Sequence, residues 1–127
     1  MKLRFYQEPN YIINKEKGVV ICILECGFDQ SVFNPLESYG FISTKNIFPY
    51  WKVKGIAKLH PDDVFNETIG CRIAESKAKQ KAYKKGANIL SSMVKNFDKA
   101  STELIDTIHF LSEKESFEVE HYNKLVN

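Results

Sequence analysis

The chain has 127 residues, of which 43% are hydrophobic and 27% charged, and its formal net charge is +2. These are globular proportions in a chain long enough for one core, which argues against a disordered tail, a disulfide-stapled miniprotein or a second domain. A pI near 8.4 lies below the range of domains that hold nucleic acid by bulk charge. No apolar run approaches the roughly 18 to 20 residues that span a bilayer, and Met1 to Pro9 carries charge without an apolar segment behind it, so neither a membrane span nor a secretory signal is expected. Cys22, Cys26 and Cys71 form an odd set without framework spacing, which fits a reducing compartment and a cytoplasmic location.

In chain order, Lys2 to Gln7 reads as a short strand closed by Pro9 and Asn10, and Tyr11-Ile12-Ile13 as a second strand or its continuation. Asn14 to Gly18 is a polar turn. Val19 to Cys26 is nearly continuous in apolar and β-branched residues, the pattern of a central strand covered on both faces. Gly27 to Ser38 reads as a loop, Tyr39 to Ser43 as the next strand, and Thr44-Lys45-Asn46 as its turn. Tyr50 to Leu59 alternates apolar residues with Lys52, Lys54 and Lys58, and its phase slips near Gly55, where a bulge is expected.

The period then changes. His60-Pro61-Asp62-Asp63 has the residues of a turn and helix start, and Ile69, Ile73, Tyr83, Ala87, Leu90 and Val94 fall on one third of a helical circumference as its core stripe. Gly86 after Lys84-Lys85 is a natural stop, although a helix can continue through it at about 1 kcal/mol. Asp98 to Ser101 offers a new cap for a helix carrying Leu104, Ile105, Ile108 and Leu111, and Phe117 to Tyr122 suits a terminal strand or a helical tail. The expected fold is α+β in a single domain, residues 1–127. It comprises an N-terminal antiparallel sheet of about four strands (1–60), two or three C-terminal helices (61–115) and a tail (116–127).

Groups for catalysis are sparse. His60, His109 and His121 form no local constellation, and the six glycines never adopt a phosphate-loop spacing. Cys22 and Cys26 share a strand face but sit roughly 13 Å apart, too far to grip one metal, and read as buried thiols. Asp62-Asp63 reads as a helix cap before it reads as an acid/base pair. No catalytic residue, metal site or cofactor is expected, and the chain is taken as a non-enzyme.

The unusual feature is Lys77, Lys79, Lys81, Lys84 and Lys85 on one predicted helix. Positions 77, 81 and 84 project from one face, with Arg72 about a turn and a half earlier and Glu75 as the nearby counter-charge. Such a face is either simply solvated or awaits an anion, phosphate above all. Tyr83 stands at the edge of the stripe, where it either packs in the core or stacks on a base. A second stripe, Cys71, Ala74, Ala78 and Ala82, is made of small side chains that admit close approach by the sheet or by a second copy, which makes a homodimer a reasonable expectation.

Lysine supplies all but two of the 18 basic residues, and Asn and Ile are frequent, a bias found in AT-rich genomes of low-GC bacteria and their phages. The run Gly55-Ile56-Ala57-Lys58-Leu59-His60-Pro61-Asp62-Asp63-Val64-Phe65-Asn66, with Gly70-Cys71-Arg72-Ile73-Ala74 and Ala78 after it, resembles a pattern of small phage proteins. Those proteins have a sheet-plus-helix unit similar to a double-stranded-RNA-binding domain. Among them the chain looks most like the Thoeris anti-defence sponge family. That resemblance implies a homodimeric or higher-order phage protein that sequesters a cyclic ADP-ribose signal without hydrolysing it, so that the host's effector is never activated; some members also hold cyclic oligonucleotides at a separate site. The compatible ligand-binding set is Arg72, Lys77, Lys81 and Lys84 for phosphate, Tyr83 for adenine and Asn88 for ribose, with Arg4 as a further phosphate fork. Two alternatives remain open at this stage: a nucleic-acid-binding module using the helix lysines with Trp51, Lys52, Lys54 and Lys58, and a protein inhibitor that docks on a host defence enzyme.

Overall fold

The computed structural model describes residues 3–39, 50–60 and 62–127. Four strands and two α-helices are seen among them: β1 Leu3–Phe5, β2 Asn10–Asn14, β3 Val19–Phe28, α1 Asn34–Ser38, β4 Tyr50–Lys58 and α2 Glu67–Val126. The chain divides into two compact units, Met1–Asn88 and Ile89–Asn127. The α+β class and the four-stranded antiparallel sheet match the expectation from sequence. The strand expected at Tyr39 to Ser43 and its turn at Thr44-Lys45-Asn46 lie, apart from Tyr39, outside the described residues.

In the first unit β3 is the centre of the sheet. β1 pairs with its C-terminal end and β2 with its N-terminal end, both along one edge, while β4 pairs along the whole of the other edge, from Val19↔Lys58 to Gly27↔Tyr50. The β2–β3 connection closes because the Asn14 side chain accepts from Lys17 N–H at 3.1 Å and Gly18 turns the chain at φ +62°, a region that L side chains rarely adopt. β3 is covered on one face only. Val20, Cys22, Leu24, Cys26 and Phe28 are buried, whereas Val19, Ile21, Ile23 and Glu25 on the other face are half-exposed. A continuous apolar run therefore marks a central strand here without marking two covered faces.

β4 runs without a bulge. Trp51, Val53, Gly55 and Ala57 point inward in unbroken register, and Lys52, Lys54, Ile56 and Lys58 point outward. The apparent slip in phase arises because the inward residue at its midpoint is Gly55. A Cβ there would strike the backbone carbonyl of Ala74 and the amide nitrogen of Ala78, so the glycine lets α2 lie directly on the strand. Phe28 closes one end of the core edge-on to Phe33 (5.5 Å between centroids) and Trp51 (5.1 Å), and the Cys26 thiol donates to the Trp51 carbonyl oxygen at 3.6 Å. The segment expected as a loop holds a 3₁₀ turn, Gln30–Phe33, whose first N–H groups are capped by Asp29, and then α1 with Pro35 in its first turn.

Helix α2 starts later than Asp62-Asp63 suggested. The Asn66 side chain accepts from Ile69 N–H at 3.1 Å, so asparagine supplies the cap. α2 then continues as a single helix through Gly86, Asp98 and the Phe117–Tyr122 segment to Val126, in place of two or three separate helices. Its sheet-facing residues also differ from the expected core stripe. Gly70, Ala74, Ala78, Ala82 and Gly86 are buried, whereas Ile69, Ile73, Tyr83 and Val94 are 40 to 58% exposed. The small stripe wins because the sheet already supplies the bulk in Val20, Leu24, Phe28, Trp51 and Val53, and close packing leaves no room for large side chains on both surfaces.

Candidate anion-binding grooves beside helix α2

Because the buried stripe advances along α2 at every fourth residue, the residues flanking it fall into two rows, one on each side of the contact with the sheet. On the side of β1 and β2, Arg72, Glu75, Ser76, Lys79, Gln80 and Tyr83 line an open groove of about 390 Å³. On the side of β4, Ile56, Lys77, Gln80, Lys81 and Lys84 line another of about 390 Å³. Gln80 borders both.

The first groove is partly neutralised. Glu75 accepts from the Tyr11 hydroxyl at 3.2 Å and pairs with Lys79 at 3.3 Å. Burial, then the Glu75 carboxylate, pushes the Tyr11 phenol up to about 12, so it stays a proton donor to that carboxylate. Tyr83 is half-exposed with its ring edge-on to Phe5, centroids 6.2 Å apart, so it serves as a wall of the groove and as packing against β1 at once. Arg72 is exposed at the same groove.

The second groove has a different electrostatic character. Its lining holds three ammonium groups, the aliphatic Ile56 side chain and one amide, without a carboxylate. Lys54 and Lys58 extend the positive charge along the outer face of β4. Lys52, on the same face, is paired with Glu25 at 3.1 Å. The Tyr50 hydroxyl and then Lys52 hold the Glu25 carboxyl below its ordinary range, and that hydrogen bond lifts Tyr50 to about 12.

The sequence-marked residues are therefore distributed over four places. Lys77, Lys81 and Lys84 meet in the β4-side groove, and Arg72 and Tyr83 in the β1/β2-side groove. Asn88 is exposed one turn beyond Lys84 and lines neither groove. Arg4 is not brought to them. It lies between the inward-facing Leu3 and Phe5, hence on the sheet face away from α2, with its Nε 3.7 Å from Asp29. Sequence reasoning passed over Ser76, Gln80 and Ile56, and two of them carry a faint signal: Gln80 stands three residues after Lys77 and four before Lys84, and Ile56 breaks the lysine alternation of β4.

The buried thiols are core groups. Burial raises Cys22, and raises Cys26 to about 11, so both remain protonated and apolar at neutral pH. Among the described residues there is no group of three His, Cys, Asp or Glu placed to hold a metal ion, and no helix is long and apolar enough to cross a membrane. Comparison with known protein families, with curated proteins and with solved structures finds no match to the chain.

Proposed function

We propose that the protein is a non-catalytic, homo-oligomeric binding protein of phage or prophage origin that sequesters a phosphate-bearing nucleotide signal in the β4-side groove of α2. The observation that carries this reading is the groove itself, with Lys77, Lys81 and Lys84 converging beside Ile56 and no carboxylate in the lining. Three cations match a pyrophosphate, Ile56 offers an apolar surface to a base or ribose, and Gln80 supplies both a donor and an acceptor. The cyclic ADP-ribose class is the ligand that the resemblance to anti-defence sponges implies, and tight holding without turnover needs no acid/base or nucleophilic group.

The test is thermal unfolding with cyclic ADP-ribose isomers and with ADP. A ligand at a hundred times its Kd stabilises by about 2.7 kcal/mol, which raises the melting temperature by several degrees. Replacing Lys77, Lys81 and Lys84 together by Gln, which keeps helix propensity, abolishes that shift and leaves unliganded melting nearly unchanged. No shift with wild-type protein, together with no nucleotide released on heating it after incubation with defence-active lysate, defeats the reading.

One observation favours a second reading. Lys54 and Lys58 continue the positive surface beyond the groove, along the outer face of β4. Binding of duplex RNA that weakens steeply with salt, through counterion release, is its signature.

A further inference from the structure

We infer that a groove on the sheet face away from α2 is a further binding site, which takes a short zwitterionic peptide with its carboxylate on Lys54 and its ammonium on Glu8. The site lies wholly within the first unit and does not rest on the nucleotide reading. It originates in an irregularity of strand pairing. Phe5 stands opposite Cys26 and Asn10 opposite Ile23, so Tyr6, Gln7, Glu8 and Pro9 have only Leu24 and Glu25 to face. Tyr6 N–H donates to the Glu25 carbonyl at 3.0 Å, and the chain then leaves the ladder until Asn10. Extra residues of this kind re-aim side chains, and they recur beside functional sites.

Here the excursion builds a wall. Gln7, Glu8 and Asn10 line one side of a groove of about 450 Å³, Lys52 and Lys54 of β4 line the other, and Ile23 and Glu25 of the central strand lie between them. That volume falls within the roughly 300 to 1,000 Å³ of small-ligand sites. Asn10, Ile23 and Lys54 stand in register as one row across three strands, which sets the wall backbones about 10 Å apart.

The charges select the ligand. Glu25 is already engaged, by Lys52 at 3.1 Å and by the Tyr50 hydroxyl, so that pair brings no net charge to the groove. Lys54 and Glu8 are exposed on opposite walls, and neither has an ion-pair partner among the described residues. A simple anion would enter beside two carboxylates, and a neutral ligand would leave both free charges facing dipoles alone. A dipeptide answers every group. Its charged ends lie about 7 Å apart when extended, which fits between the walls. Its peptide group meets the donors and acceptors of Gln7 and Asn10, and Ile23 offers an apolar surface to a side chain.

Chemical-shift titration of the full chain with glycyl-leucine tests the site. A ligand of this size is expected to bind with a Kd of about 1 mM or tighter, so a titration to about 10 mM reaches saturation. The backbone amides of Ile23, Glu25 and Lys54 are expected to move. Lys54→Gln and Glu8→Gln should each weaken binding about tenfold, and N-acetyl-glycyl-leucinamide, which lacks both charges, should bind more weakly still. Absence of saturable shifts, shifts confined to α2, unchanged affinity in both variants or equal affinity for the blocked peptide overturns the assignment. Inorganic phosphate moving the same amides as strongly also overturns it, by making the groove an anion site. None of these outcomes bears on the nucleotide-induced melting shift, so the two sites stand or fall separately.

Discussion

The two parts of helix α2 carry side chains of opposite size and opposite burial. Against the sheet it presents Gly70, Ala74, Ala78, Ala82 and Gly86 at strict four-residue steps, all buried, whereas beyond Asn88 large apolar side chains such as Val94, Leu104, Ile108 and Leu111 are 58 to 66% exposed. The first pattern suits a helix whose backbone touches a sheet already rich in large side chains. Side-chain size along one helix therefore reports how near its neighbour must come.

The comparison breaks most visibly at Gly55. Gly55→Val forces α2 off β4, because its Cβ meets helix backbone that has no rotamer to adopt, and a loss of about 3 kcal/mol or more is expected in chemical denaturation. A stable Gly55→Val protein would mean that the helix does not rest on the strand. A similar enlargement in the C-terminal row is expected to leave the N-terminal unit's stability unchanged.

A smaller effect comes from the thiols that the close packing buries. The folded pKa of Cys22 and Cys26 is raised above the ordinary 9.0, to about 11 for Cys26, so their contribution to stability is complete below pH 9 and is lost as pH rises toward 11. The melting temperature should fall through that interval, and Cys26→Ala should flatten part of the fall. A melting curve flat up to pH 11 would count against deep burial of these groups.

The mildest change is Gly86→Ala. A Cβ there meets Phe28, Leu3 and Trp51 at 3.4 to 3.5 Å, ordinary contact distances, and the helix gains up to about 1 kcal/mol of propensity. A slightly higher melting temperature is expected. A marked loss would place the helix closer to the sheet at this end than these distances do.

Much of the fold was legible in the chain. The β-branched run of β3, the turn at Gly18 and the lysine alternation of β4 each follow from local backbone and solvent preferences, and the three lysines at 77, 81 and 84 share a groove because helical spacing alone aligns them. Arg4 was illegible as part of a site, since a strand of three residues does not declare which sheet face its middle residue takes. Gly86 was misleading for a similar reason: its helix-breaking tendency is local, and its burial against the sheet outweighs it.

What the amino-acid order determined by itself is the N-terminal strands, the α+β class and the linear density of positive charge, all consequences of near-neighbour physics. Only the tertiary structure decided which face of α2 is core. That choice depends on the distance of closest approach between helix and sheet, set by the absence of a side chain at Gly55 on a strand distant in sequence, and it separates the marked residues into one groove beside β4, one beside β1 and β2, Asn88 outside both, and Arg4 on the far face.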